Sequence, residues 1–394
     1  MISQKMTELG EKRSVIREIF EYGNKRRAEI GAENVYDFSL GNPSIPAPEE
    51  VNRTMVRLLT EMNPVALHGY TSAQGAIPVR KAIAEDIEKR FGAKADMNLI
   101  YMTCGAAASL TITLTALMND GDEVIVLAPF FPEYRVFAEK AGAKVKVVKC
   151  REGDFQIDFD ALEKAISPAT KAIIVNSPNN PSGAVFNEDT IKKLASLLNR
   201  KSQEFGSDIY IIADEPYREL VYGGVNVPYI PNYYNNTIVC YSFSKSLSLP
   251  GERIGYIFVS PNISNSGKVY AAVCGAGRAL GFVCAPSLLQ YTVAENLGKT
   301  ADVSVYEKNR NILYEALTSY GYTVCPPDGA FYLFVKSPIA NAGEFCEAAK
   351  KYEILIVPSD DFGYEGYVRI SYCVATEMIE KSLDGFKKLI EEYR

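Results

Sequence analysis

Tryptophan is absent from this 394-residue chain, and histidine occurs once, as His68. A mechanism that needs two histidines of one chain is therefore excluded: there is no HExxH zinc helix and no histidine-rich metal cage. A Ser-His-Asp triad would depend on His68 alone. If the chain is an enzyme, its proton carrier is then a lysine, a tyrosine or a carboxylate, with or without a cofactor's help. Excess positive charge is also lacking, since 42 Lys and Arg face 48 Asp and Glu for a net charge of -6. That balance offers no electrostatic footprint for nucleic acid or an anionic membrane. Apolar runs are strand-sized, far short of the ~20 residues that span a bilayer. The first residues, Met1-Ile2-Ser3-Gln4-Lys5, contain no apolar core of signal-peptide length. None of the eight cysteines forms a CxxC pair. Buried thiols in a reducing cytosol are expected, rather than a zinc ribbon or a disulfide framework, and no metal is expected. No Walker motif or GxGxxG occurs. The nearest match, Gly275 to Gly281, has the wrong spacing and follows no clear strand, which weighs against a dinucleotide or a nucleoside triphosphate.

What is present is a well-mixed chain, 47% hydrophobic, long enough for two or three domains of ~150 residues or for one large domain with a smaller partner. Residues 1–33 read as helix, with Val15, Ile16, Ile19, Phe20 and Tyr22 on an apolar face. A short extended piece, Tyr36 to Leu40, breaks at the turn-rich connector Gly41 to Pro48. From about residue 100, apolar β-rich runs recur at 123–127, 144–148, 172–175, 209–212, 237–241 and 254–259, with helical stretches such as 190–204 between several of them. This alternation predicts an α/β fold with a mostly parallel central sheet covered by helices on both faces. After about 285 the texture changes to a long helix over 287–317, followed by short strands and helices. The expected division is a large α/β domain over 46–285 and a small α+β domain built from 1–45 and 286–394.

In an open α/β sheet, ligands bind beyond the carboxyl ends of the strands. The residues following the runs at 172–175, 209–212 and 237–241 are therefore the candidates. They are Asn176 to Gly183, Asp214-Glu215-Pro216-Tyr217 and Ser242-Phe243-Ser244-Lys245. Each alone reads first as a cap or turn, the usual place of a polar residue at a strand end; together they bring amide, carboxylate, phenol, hydroxyl and amine to one rim. Lys245 directly follows a buried strand, where desolvating an ammonium is expensive. Either its amine snorkels to solvent or pairs with Asp214, or it is held uncharged or covalently engaged, as in a Schiff-base lysine. Gly105-Ala106-Ala107-Ala108 opens an Ala- and Leu-rich helix after the strand-like Tyr101-Met102-Thr103. Small residues there either pack the helix start tightly or let an anion approach its free N–H groups.

These segments resemble the fold-type I pyridoxal-phosphate (PLP) enzymes, and among them the class I aminotransferases of the aspartate aminotransferase superfamily. The resemblance runs from Ser39-Leu40-Gly41-Asn42-Pro43 to Val368-Arg369-Ile370-Ser371. Its most specific pieces are Asn179-Asn180-Pro181-Ser182-Gly183, Asp214-Glu215-Pro216-Tyr217 and Ser242 to Gly255. It implies a PLP cofactor held covalently by Lys245, which also shuttles the substrate proton. Asp214 resembles the partner of the pyridine nitrogen, and Tyr217 and Asn180 resemble the two groups that hydrogen-bond the ring O3′. Arg253, Ser242, Ser244 and the N–H groups around Gly105, Ala106 and Ala107 look like the phosphate ligands. Tyr70 resembles the tyrosine that reaches the phosphate of a neighbouring subunit, which implies a homodimer. Phe131 takes the place of the ring that stacks on the pyridine, where some aspartate enzymes carry tryptophan. Arg369 resembles the fork that clamps the substrate carboxylate, with Gly41 and Asn180 beside it. Arg278 lies near the segment where dicarboxylate-specific relatives place a further arginine. His68 reads as a surface or interface residue, and Asn42 as a turn residue.

The implied activity is transfer of the amino group of an L-amino acid, of aspartate, alanine or aromatic type, to a 2-oxo acid, 2-oxoglutarate by family habit. The rivals are a PLP-dependent carbon–sulfur β-lyase, which would share every cofactor residue, and a non-catalytic regulator on the same fold. Such regulators usually carry an extra DNA-binding domain, whereas this acidic chain starts about where the enzyme domain should. A dinucleotide oxidoreductase is disfavoured by the missing glycine fingerprint. A cytoplasmic location, with no nucleic-acid or membrane partner, completes the expectation.

Overall fold

A computed structural model describes residues 2–11 and 15–394. The chain falls into two compact units: Ile45–Val303 with Asp328–Ala330, and Met1–Ser44 with Ser304–Pro327 and Phe331–Arg394.

In the larger unit the β-branched runs form strands because both of their faces are buried. Val124, Ile125 and Val126 on one strand, and Ile211 and Ile212 on another, are fully enclosed. Among the described residues these strands make one seven-stranded sheet. Its members are β1 (Ile100–Thr103), β2 (Glu123–Ala128), β3 (Lys144–Lys149), β4 (Thr170–Asn176), β5 (Tyr210–Asp214), β6 (Thr237–Ser242) and β7 (Gly255–Val259). Across the sheet the order is β1-β7-β6-β5-β4-β2-β3. Strands β2 to β6 are mutually parallel, and β7 runs antiparallel to both β6 and β1. The helix Ala106–Leu117 packs on β5, β6 and β7, and the helices Glu133–Lys140 and Phe159–Ala165 pack on β3.

This order has a direct consequence for chemistry. The carboxyl ends of β1, β2, β4, β5 and β6 share one rim, and the start of β7 joins them because that strand is reversed. In register, Asn176 faces Asp214, and Gly255 lies between Ser242 and Thr103.

The single helix expected over 287–317 is instead two, Ser287–Ala294 and Val303–Ser319. Between them Gly298 adopts a left-handed φ of 74°. Asn296 turns its amide back onto the carbonyl of Thr292 (2.8 Å) and onto Thr54 Oγ1 (3.2 Å), ending the first helix. Residues 286–303 accordingly pack within the larger unit, whereas the sequence texture had assigned them to the tail. The stretch expected as helix over 1–33 contains Gln4–Glu11 and Val15–Ile30, and residues 12–14 lie outside the described residues.

The smaller unit holds a four-stranded antiparallel sheet in the order Val357–Pro358, Tyr367–Ser371, Tyr332–Lys336, Thr323–Val324. Tyr36–Asp37 pairs parallel with Ile354–Leu355. Ile19, Val35, Leu355, Val357 and Phe362 form a buried cluster beneath them. Among the described residues no helix is long and apolar enough to cross a membrane.

Candidate active site

Strand β5 ends on Asp214, in the middle of the sheet, so its carboxyl is carried into the interior. Tyr134 Oη donates to Asp214 Oδ2, and the Asn176 amide donates to the Asp214 carbonyl at 2.9 Å. Asp214 Oδ1 is buried and has no hydrogen-bond partner among the described residues. Burial pushes the Asp214 carboxyl up to about 7; the Tyr134 hydrogen bond works against that rise and the neighbouring Glu215 adds to it. The Tyr134 phenol is held well above its ordinary range, first by burial and then by the Asp214 charge.

Strand β4 ends on Asn176, whose second function is to accept from the Asn180 N–H at 2.8 Å. Asn179 tightens the same turn, accepting from the Ser182 N–H (3.0 Å) and hydroxyl (2.7 Å) while donating to the Pro129 carbonyl at 3.2 Å. Asn180 is thereby fixed and buried at the end of the strand beside β5, and Tyr217 is buried in the turn that follows Asp214.

Strand β6 runs into a one-turn helix, Phe243–Ser246. Ser242 caps it, accepting from the Ser244 N–H at 3.2 Å, and the two serine hydroxyls lie 2.8 Å apart. This turn carries Lys245, half-buried.

A third group forms where β1 gives way to Ala106–Leu117. Gly105 precedes that helix at φ 84°, and a Cβ there would lie 3.0 Å from Arg253 Nη2. The backbone conformation favours glycine, and its bare Cα leaves room for the guanidinium. Arg253 itself sits at φ 52°, a sparsely populated backbone region for a side-chain-bearing residue, and its Nη1 donates to the Pro250 carbonyl at 2.9 Å. A Cβ on Gly255 would lie 3.1 Å from Gly105 Cα, so β7 and the helix start are in close contact. The result is a guanidinium beside a helix N-terminus whose first N–H groups have no partner within the helix, an anion cradle. Phe131 stands at the end of β2 and meets Tyr134 edge-on, with ring centroids 5.7 Å apart.

The smaller unit brings its own pair of candidates together. Arg369, buried on the Tyr367–Ser371 strand, donates from Nη2 to the Ser39 carbonyl at 2.6 Å. Its guanidinium carbon lies 4.7 Å from the Tyr332 ring centroid and 5.1 Å from that of Phe362. Two aromatic faces hold the fork in one plane. A Cβ at Gly41 would fall 1.9 Å from Tyr332 Oη, which explains the glycine.

Other expected residues stand apart. Tyr70 is 99% exposed on the turn after the helix Pro64–His68, and His68 is exposed at that helix's end. Arg278 is exposed on the helix Ser266–Leu280. Two residues, one beside the candidates of each unit, carried no signal that sequence reasoning used. Tyr134 sits three residues after Phe131, a spacing that could have suggested it; Tyr332 reads as an ordinary strand aromatic.

The family model for aminotransferase class I and II matches residues 32–386. The chain belongs to this family. Aromatic-amino-acid aminotransferase 2 of Thermococcus litoralis is 29% identical to it over 396 residues, 96% of each chain. An aspartate aminotransferase of Pyrococcus horikoshii is 30% identical over 394 residues, covering 96% of this chain and 95% of that one. The crystal structure of an amino transferase from Eubacterium rectale, 55% identical, matches with a TM-score of 0.98 over 100% of this chain and 99% of that chain. The seven-stranded sheet with its helices is thus the fold-type I architecture, and the chain is an enzyme of the transaminase class. Class I and II aminotransferases generally depend on PLP.

Proposed function

We propose that this aminotransferase uses PLP to move the amino group of an L-amino acid of aspartate, alanine or aromatic type to 2-oxoglutarate or a similar 2-oxo acid. The observation that carries this reading is Asp214 Oδ1, a buried carboxylate oxygen without a hydrogen-bond partner, on the rim where β6 delivers Lys245. A protonated pyridine nitrogen is the partner that such an oxygen lacks. The Gly105–Arg253 cradle suits a phosphate dianion in the same way. When bound, PLP supplies an aldehyde that captures amines and a ring that withdraws electrons from the bond being broken.

The chain's residues then divide the work. Lys245 Nζ would hold the cofactor, and its amine would carry the proton off the substrate Cα. Asp214, its pKa raised before loading, is brought back towards the charged form by a cationic partner. Asn180 and Tyr217 would donate to the ring O3′, and Phe131 would stack on the ring. Arg253, Ser242, Ser244 and the N–H groups of Gly105, Ala106 and Ala107 hold the phosphate. Arg369 takes the substrate carboxylate through its two parallel N–H groups, with Gly41 and Asn180 beside it. Relatives named for aromatic amino acids and for aspartate both support the donor range. The working unit is a homodimer in which Tyr70 reaches the phosphate held by the partner, and its setting is the cytoplasm.

The decisive experiment is incubation with PLP, borohydride reduction and peptide mass mapping, followed by a donor screen with 2-oxoglutarate. The expected result is a reduced pyridoxyl group on Lys245 and amino transfer that disappears in Lys245→Ala. Borohydride that fixes nothing at position 245, or a Lys245→Ala protein that transfers amino groups at the wild-type rate, overturns the reading.

A further inference from the structure

A polar chain lies behind the lysine-bearing helix, running from the buried Tyr241 and Ser246 through the half-buried Glu219 to the exposed Arg90, and it has no part in the chemistry above. Tyr241 Oη is 2.9 Å from Glu219 Oε2 and 3.0 Å from Ser246 Oγ. A phenol carries one proton and a carboxylate only accepts. Tyr241 therefore donates to Glu219, and the Ser246 hydroxyl donates to Tyr241. Glu219 Oε1 also accepts from Arg90 Nη2 at 2.8 Å, and Arg90 Nη1 lies 3.3 Å from Asp86 Oδ2. The Ser246 carbonyl accepts from the Ala301 N–H at 2.7 Å. The Tyr241 ring is stacked on Tyr256 at 5.0 Å and meets Phe243 edge-on at 5.1 Å. Lys299 and Asn296 line the same small cavity as Asp86, Arg90 and Glu219.

The helix Phe243–Ser246 has four residues, too few for cooperative stability of its own. Its orientation is set by what holds its two ends. Ser242 caps the first end, and Ser246, the residue after Lys245, is tied down at the other. Glu219 follows Tyr217 by two residues in the segment that leaves Asp214. The chain of hydrogen bonds therefore links the end of β5 to the turn that carries the lysine.

We infer that Glu219, acting through Tyr241 and Ser246, is a positioning residue that sets Lys245 relative to Asp214 and Tyr217. It touches neither substrate nor cofactor. The inference rests on the proposed role of Lys245 in holding PLP. Without the side-chain link, the end of the one-turn helix keeps its Ala301 backbone bond but loses the tie to Glu219, and the lysine amine meets a different electrostatic environment. A misplacement of this kind shows both in the titration of the amine's cofactor linkage and in turnover.

Tyr241→Phe keeps the ring and its stacking while removing the link, and Ser246→Ala removes it from the other side. The first readout uses PLP-loaded protein without substrate, following the visible absorption band against pH. Both variants are expected to shift its midpoint from wild type by more than about half a pH unit, in the same direction. The double variant adds no further shift, because the two changes cut one chain. In turnover, kcat falls roughly tenfold while KM for the amino acid stays within about twofold. Variants that melt at lower temperature yet keep the wild-type midpoint and kcat overturn the inference, because the chain would then serve packing alone. If Tyr241→Phe does not fold, Ser246→Ala decides the question by the same two readouts. A wild-type protein that takes up no colour and no reduced adduct at Lys245 is a different failure, which brings down the proposed function and this inference with it.

Discussion

At the scale of single residues, Asp214 concentrates the physics of the site. Its carboxyl is enclosed, one oxygen is satisfied by Tyr134, and the other is left without a partner. With the folded-state pKa raised from 3.8 to about 7, the unfolded chain releases this proton first as pH rises. Between about pH 4 and about pH 7 the native state therefore holds more protons than the unfolded state, and stability falls with rising pH. The cofactor-free protein is expected to lose stability across that window, by an amount on the order of a few kcal/mol. Asp214→Asn removes the titration. The melting temperature of cofactor-free Asp214→Asn, relative to wild type, should be higher at pH 8 than at pH 5. Equal differences at the two pH values contradict the assignment. The position of Asp214 was legible in the sequence because a carboxylate directly after the apolar run 209–213 has few places to go except a strand end. That Tyr134 pairs with it was not legible, whatever the spacing from Phe131 suggests of Tyr134 itself: the two are 80 residues apart, and only the sheet order brings them together.

At the scale of elements, the segment Pro250 to Gly255 shows how one turn serves two demands. Arg253 is held at φ 52° beside Gly105, and β7 starts two residues later against β6 and β1. A Cβ on Gly255 would lie 2.3 Å from the Tyr241 carbonyl, whereas one on Gly251 would meet nothing within 4 Å. Backbone cannot yield as a flexible side chain can. Gly255→Ala should therefore lower stability by at least about 2 kcal/mol, and Gly251→Ala by no more than about 0.5 kcal/mol. Denaturant midpoints of the two variants test this, and similar midpoints would show that the strand pairing is looser than described. The break between Ser287–Ala294 and Val303–Ser319 belongs to this scale as well. Helical periodicity continues across 287–317, so the sequence reads as one helix. The interruption depends on Asn296 finding Thr54, 242 residues away, and on Gly298 turning left-handed.

At the scale of the whole molecule, the larger unit exposes an apolar group that an isolated subunit has no reason to keep. Val65 is 82% exposed, and Ile77 and Val283 are also open. Their segments are tied together, since the Cys284 N–H donates to the Ala73 carbonyl (3.1 Å) and the Ser287 hydroxyl to the Leu67 carbonyl (2.5 Å). Tyr70 projects from this neighbourhood. The proposed homodimer buries these residues. Val65→Asp should weaken it by at least roughly tenfold in Kd, read by sedimentation, because a charge would be desolvated in the contact. A variant as dimeric as wild type would place the interface elsewhere.

By itself the sequence determined which residues lie where strands end and where turn-rich connectors break the chain. Apolar periodicity and turn chemistry are local, acting over a few residues. Only the tertiary structure decided that β7 runs antiparallel between β6 and β1. The same holds for Gly105 meeting Arg253, for Tyr332 filling the space over Gly41, and for Asp214 keeping one oxygen unpaired. These depend on strand order, which is settled by burial summed over the whole sheet, and no short stretch of sequence carries that sum.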